Sequence, residues 1–299
     1  MKVILFFFLF SFCSFSQTKG VVKDEAGNPI PFVSILVENE TIGVSSEEDG
    51  SFSIAVDASK NLVFSAVGYE TKTVKVTEAK NVQLPKKVFE LGEVVISPAE
   101  KQKTVKIGDD YGRGEIRYYS QQTTAKHFAY TEEAKNHPFL KEITIYTKSK
   151  IDNAKINLRV LKANQDGSPG EDILEENYII LVKNGGKNTT VDMQEFHIEI
   201  PAEGIFVAIE ALKINENKFY KKGPKYKDIT GNIKRMDTFT YEPFFGYLPS
   251  KENTCWYFSG NWMQGGLHKM KNPKSYENLL MKKYHDHYLE LAMSITLTN

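Results

Sequence analysis

Residues 51–56, Ser-Phe-Ser-Ile-Ala-Val, place Phe52, Ile54 and Val56 in alternation with small polar positions, directly after the acidic, glycine-closed turn Glu47-Glu48-Asp49-Gly50. Such a two-residue period behind a tight turn predicts a half-buried strand. The pattern recurs at 19–23, 32–38, 42–45, 61–66, 71–76 and near 82–84, with turn clusters such as 24–29 and 39–41 between the runs. About seven strands within roughly seventy residues, and no helical period among them, predict a small sandwich of two packed antiparallel sheets.

Beyond residue 108 the alternation resumes with longer spacing. Residues 140–146 and 156–161 read as strands joined through 149–153, and 164–170 (Asn-Gln-Asp-Gly-Ser-Pro-Gly) reads as a turn. Further strands are predicted at 196–200, 205–210, 255–258 and 289–297, where Leu289, Leu291, Met293, Ile295 and Leu297 alternate with polar or small residues. The polar, proline-led stretch that opens at Pro98 marks a boundary. The expected organisation is all-β, with a sandwich over 17–97, a linker over 98–113 and a second sandwich over 114–299.

Composition changes this picture in three ways. The chain opens with one lysine, an apolar run and small residues at Ser14 and Ser16, which predicts a secretory signal over 1–16, removed after Ser16. The run is too short to span a bilayer, and the bulky Phe12 argues against a lipid anchor on Cys13. The expected product is an exported protein of the periplasm, the outer membrane or the exterior, with no transmembrane segment. Cys255 is then its sole cysteine, so stability must come from apolar burial rather than from an intramolecular disulfide. Finally, 38 basic residues balance 38 acidic ones, which argues against nucleic acid as a partner.

The motifs Gly20-Val21-Val22-Lys23-Asp24, Gly27-Asn28-Pro29-Ile30-Pro31, Val33-Ser34-Ile35, Thr41-Ile42-Gly43, Asp49-Gly50-Ser51-Phe52 and Val67-Gly68-Tyr69-Glu70 stand in order. Together they resemble the carboxypeptidase-like regulatory domain. That resemblance implies a seven-stranded, transthyretin-like sandwich found at the front of TonB-dependent receptors and other exported proteins, and a non-catalytic appendage. In the receptors an acidic, valine-rich stretch like residues 88–97 helps engage the energy-transducing partner. Here the chain that follows is far shorter than a barrel of twenty or more strands requires, so 88–97 is read as a final edge strand leading into the linker. More loosely, 158–161, 166–170 and 204–209 resemble jelly-roll modules of exported proteins, several of which bind sugars; this implies architecture rather than ligand.

Candidate chemistry is sparse. His287 and Glu290 have a zinc-peptidase spacing, but on a strand positions three apart face opposite ways and no histidine follows. His285 and His287 share a face without a visible third ligand. Cys255, beside Trp256-Tyr257-Phe258, reads as a buried thiol. Gly112-Arg113-Gly114 lacks the following helix that a phosphate loop needs, and Glu47-Glu48 and Glu175-Glu176 read as solvated charges. No catalytic residue, metal site or cofactor is expected. Aromatic residues concentrate at 239–262, and Trp256 and Trp262 flank a predicted Ser259-Gly260-Asn261 turn. Rings at a sandwich edge can stack on sugars while Asn261 and Gln264 bond hydroxyls, or they can fill the core. The expected function is that of a non-enzymatic envelope accessory or binding protein recognising a glycan or an envelope protein, with a glycan-acting hydrolase as the alternative. The sequence carries no expectation for oligomeric state.

Overall fold

The computed structural model describes residues 17–87, 103–110, 116–118, 123–269 and 284–299. The signal at 1–16, the segment 88–97 and the Gly112-Arg113-Gly114 stretch lie outside the described residues. Almost every described element is a strand, and the one α-helix among them is Glu132–Asn136.

The first domain contains β1 (Gln17–Lys23), β2 (Ser34–Val37), β3 (Gly43–Ser45), β4 (Ser51–Ala55), β5 (Asn61–Ser65), β6 (Lys72–Lys75) and β7 (Asn81–Gln83). They form a three-stranded sheet, β4-β1-β7, packed on a four-stranded sheet, β3-β2-β5-β6. The alternation in β4 does what it predicts: Phe52 and Ile54 are buried, Ser53 and Ala55 exposed. Phe52 meets Phe64 edge-on at 5.6 Å between the sheets, among Val22, Ile35 and Leu62. Gly50 turns the chain at a φ of +73°, and a Cβ there would lie 2.6 Å from the carbonyl of Val22, so both dihedral and space demand glycine. The antiparallel expectation fails in one place. β1 and β7 run parallel, because β7 arrives from β6 in the opposite sheet through the 3-10 turn Val76–Glu78 rather than by a hairpin.

The second domain adds β8 (Thr104–Asp109), β9 (Ile116–Tyr118), β10 (Thr123–Phe128), β11 (Phe139–Ser149), β12 (Ala154–Ala163), β13 (Pro169–Asp172), β14 (Tyr178–Val182), β15 (Gly185–Asp192) and β16 (Ile205–Ala211). After β17 (Lys218–Lys221), β18 (Lys225–Lys227), β19 (Ile233–Arg235) and β20 (Thr238–Tyr241) come β21 (Phe244–Ser250), β22 (Cys255–Phe258), β23 (Trp262–Gln264), β24 (Tyr288–Leu291) and β25 (Met293–Thr298). One sheet has the order β13-β12-β16-β10-β22-β23, with β14 also on β12. The other has β24-β21-β11-β25-β8, with β15 on β11 and β9 on β21. Ile143, Ile145, Ile156, Leu158, Val207, Ile209, Met293 and Ile295 fill the space between them.

Three expectations change here. Residues 104–109, expected in the linker, form the edge strand β8, whose Ile107 faces Ile295 in register. The run 289–297 is two strands rather than one. It breaks at Ala292, whose N–H and C=O bond Gly246 and Tyr146, so that β24 pairs β21 while β25 pairs β11 and β8. Residues 196–200 form no strand, only one bridge of Glu199 to Phe139. Phe196 ends a 3-10 turn and His197 takes a left-handed conformation, φ +47°. All three stretches have strand-like alternation, and only pairing decides what such alternation becomes.

Candidate functional site

Ladder register assembles the ring-bearing face. Across β10 and β22, Ala125 faces Trp256 and Thr123 faces Phe258. Across β22 and β23, Trp256 faces Gln264 and Phe258 faces Trp262. Cross-strand partners and alternate residues share a face, so Ala125, Trp256, Phe258, Trp262 and Gln264 all lie on the side of the sheet away from the main core. Trp256 and Trp262 are half-buried and pack on a small cluster of Ala125, Leu161, Phe206 and Ala208. Phe206 meets Trp256 edge-on at 6.3 Å, and Phe258 lies 5.2 Å from Trp262.

The four residues singled out from sequence are therefore brought together in one hairpin. Its turn holds Asn261, exposed, whose carbonyl accepts from the Ser259 N–H at 3.1 Å. Gln264, exposed on the edge strand β23, donates to the Asn253 carbonyl at 3.3 Å. The turn also seats on the first domain: the Ser259 hydroxyl donates to the Glu40 carbonyl, and Gly260 lies against Val63.

Sequence reading missed the polar half of this face. On β12 and β16, Asn157 faces Glu210 and Arg159 faces Ala208, with Thr123 continuing the first row. Arg159 grips both oxygens of Asp172 at 2.8 Å, and all of these groups are buried. Burial opposes the Arg159 charge, but Asp172 and Glu210 outweigh it and hold the guanidinium above its ordinary range. Burial pushes the Glu210 carboxyl up, against the pull of Arg159 and of Asn157, whose amide reaches it at 3.2 Å. Thr123 Oγ1 and Glu210 Oε1 have no hydrogen-bond partner among the described residues. Both residues line a cavity of about 10 Å³ beside Ser34, Ser45 and Lys213. In sequence Asn157-x-Arg159 is simply the polar side of a strand. Nothing local says that it will be buried.

The seam between the domains opens into a cleft of about 680 Å³ with Lys19, Lys80, Lys213 and Lys218 around Glu47 and Tyr241. Burial raises the Glu47 carboxyl and lowers the Lys213 ammonium. Glu47 accepts from the Asn215 N–H at 3.1 Å, and Glu48 pairs with Lys155. These two glutamates, expected as solvated charges, thus join the domains. Phe32 completes the seam, packed with Leu212 and Ile214.

Other candidates are engaged elsewhere. Glu290 pairs with the buried Lys126, which also donates to the Met293 carbonyl at 2.8 Å. His287 Nδ1 lies 2.9 Å from the His285 carbonyl. Among the described residues no group of three or more His, Cys, Asp or Glu could hold a metal. Cys255 is buried, accepts from the Leu291 N–H at 3.3 Å, and has its thiol pushed up to about 11 by burial. A surface groove of about 460 Å³ contains two carboxylates, Asp192 and Glu195. Hydrogen bonds from Gln194 hold Asp192 below the usual carboxylate range, which keeps it ionised and unsuited to donate a proton.

Residues 18–96 match the family model of the CarboxypepD_reg-like domain, so the resemblance carried by the glycine and Asp-Gly motifs holds over the first domain. The chain is 29% identical over 92 residues to the TonB-dependent receptor SusC of Bacteroides thetaiotaomicron, and 33% identical over 91 residues to the TonB-dependent receptor P39 of Formosa agariphila. These matches take in 31% and 29% of this chain but 9% of each receptor. Over nearly its whole length, 94%, the chain aligns with 63% of the VP2 subviral particle protein of infectious bursal disease virus, at 9% identity and a TM-score of 0.22. That likeness is too slight to bear on fold or function.

Proposed function

We propose that this protein is a non-enzymatic component of the cell envelope, in which the first domain is a docking or spacer module and the second recognises a carbohydrate. The match of the first domain to a module shared with TonB-dependent receptors supports the envelope setting. The observation that carries the recognition reading is the β22–β23 hairpin, where two half-buried indoles and the exposed Gln264 share one outer face and Asn261 stands at its turn. Rings fixed from behind by Phe206 and Ala208 lose little freedom on stacking against a sugar, while neighbouring amides can pair with hydroxyls. The non-enzymatic reading is supported by how the carboxylates are used: Asp172 and Glu290 serve cations, and Asp192 is tied to Gln194.

The experiment is a polysaccharide panel run in affinity gels with the wild-type chain beside Trp262→Ala and Gln264→Ala. Retention of at least one polysaccharide, weakened about tenfold or more in the tryptophan variant, is the expected result. Equal retention of all three proteins, or of none, refutes carbohydrate recognition by this hairpin.

A further inference from the structure

Residues 218–241 leave the second domain as a β-arm. β17 pairs β20 at its base and β18 pairs β19 at its end, and neither pair joins any of the larger sheets. A two-stranded ribbon of this kind buries almost nothing of its own. Yet, among the described residues, six of the eleven large hydrophobic side chains that stand exposed are here: Tyr220, Tyr226, Ile229, Ile233, Met236 and Phe239. The same 24 residues hold six lysines and Arg235 against Asp228 and Asp237. Seven cations less two carboxylates leave a formal +5 on an arm of a chain whose overall balance is zero.

The tip shows how these features are combined. Asp228 accepts from the N–H groups of Thr230 and Asn232 at 2.9 and 3.0 Å and from the Thr230 hydroxyl at 2.7 Å, and it pairs with Lys234 at 3.0 Å. Those bonds shape the turn and hold its carboxyl down at about 2. The turn so shaped presents Ile229 wholly to solvent, at 105% of its reference exposure. Behind it, Lys227 faces Ile233 and Lys225 faces Arg235 across the ribbon. An apolar point is therefore followed by a collar of cations, with Tyr226 within it opposite Lys234 and Met236 beyond.

We propose that this arm docks the protein on a membrane surface of anionic phospholipid, with Ile229 and Ile233 entering the boundary between headgroups and acyl chains and Lys225, Lys227, Lys234 and Arg235 at headgroup level. Apolar burial and attraction to anionic headgroups act together in interfacial binding, and long basic side chains suit that depth because their stems are apolar and their ends are not. A second copy of the chain fits less well, since two +5 arms repel each other. A soluble polyanion would use the cations but leave the isoleucines in water.

The test is co-sedimentation of the chain from Gln17 onward with vesicles of phosphatidylethanolamine containing about one-third phosphatidylglycerol, beside vesicles of phosphatidylcholine alone. The wild type should bind the first at low salt, release at high salt, and leave the second in solution. Ile229→Asp with Ile233→Ser, and separately Lys225→Gln with Lys227→Gln, should each lower the bound fraction about tenfold. All four positions are exposed, and unchanged melting temperatures will show that the variants fold. In Ile229→Trp the new indole emission should shift to the blue on anionic vesicles. No binding to anionic vesicles, binding untouched by either double variant, or an Ile229→Trp emission unmoved by vesicles overturns the proposal. So does a loss confined to the lysine variant with equal affinity for dextran sulfate, which would make the arm a site for soluble polyanions.

Discussion

Lys213, just past the end of β16, donates from its ammonium to the carbonyl of Gly43 at 2.9 Å, and its own N–H donates to the Ser45 hydroxyl at 3.1 Å. Both acceptors lie on β3 of the first domain, about 170 residues away in the chain. With Glu47 on the Asn215 N–H, Asn177 on the Pro31 carbonyl and Phe32 against Ile214, this pair makes the seam a built contact rather than a chance touch.

Replacing Lys213 by Met keeps the stem and removes the charged donor. A loss of roughly 1–3 kcal/mol is expected, because a hydrogen bond from a charged group is removed while burial had already disfavoured the ammonium. Urea unfolding measures it, and a change within error would show that the bond contributes nothing to holding the seam.

The Arg159–Asp172 pair gives the largest expected effect. Asp172→Asn takes away the carboxylate that Arg159 grips, leaving the buried guanidinium only the longer-range pull of Glu210, and should cost about 3–5 kcal/mol. An Arg159→Met, Asp172→Leu double variant should recover most of that loss. If Asp172→Asn melts with the wild type, the pair is not desolvated in solution.

Glu210 makes stability fall as pH rises. Its folded carboxyl titrates above the ordinary value, so above about pH 4.3 the unfolded chain releases a proton that the native state still holds. Native stability declines through that window and levels off once the folded group has also ionised. Glu210→Gln, which can still accept from Asn157, should flatten this decline and melt higher than the wild type at neutral pH. Parallel pH profiles for the two proteins would contradict the buried carboxyl.

Cys255 should resist a neutral thiol reagent at pH 8 in the native state, since a thiol displaced to about 11 supplies little thiolate and burial blocks access. Labelling should rise only in denaturant. Fast, complete labelling of the native protein, followed by mass spectrometry, would place Cys255 at the surface.

What was legible in the residues is the local part of this molecule. A two-residue period in 51–56 puts Phe52 and Ile54 inward whatever their neighbours, and the Asp-Gly turn before it can be closed only by a residue that tolerates φ +73°. The all-β class, the strands of the first domain and the Ser259–Asn261 turn follow from such short-range rules. Partner choice does not. Residues 104–109 and 289–297 alternate as any strand does, but only the packed sheets decide that the first closes an edge and the second breaks at Ala292.

The same division runs through the sites. Trp256 and Trp262 could be placed in one hairpin from sequence, because the turn between them is local. That the face they occupy continues into a buried polar row, where Thr123 and Glu210 meet Ser34 and Ser45 of the first domain, was decided by docking, since a polar side of a strand reads alike whether water or protein covers it. The β-arm shows the converse. Its lysines and isoleucines stand in plain view at 218–241, but pairing β18 with β19 alone is what left Ile229 and its basic collar outside every core.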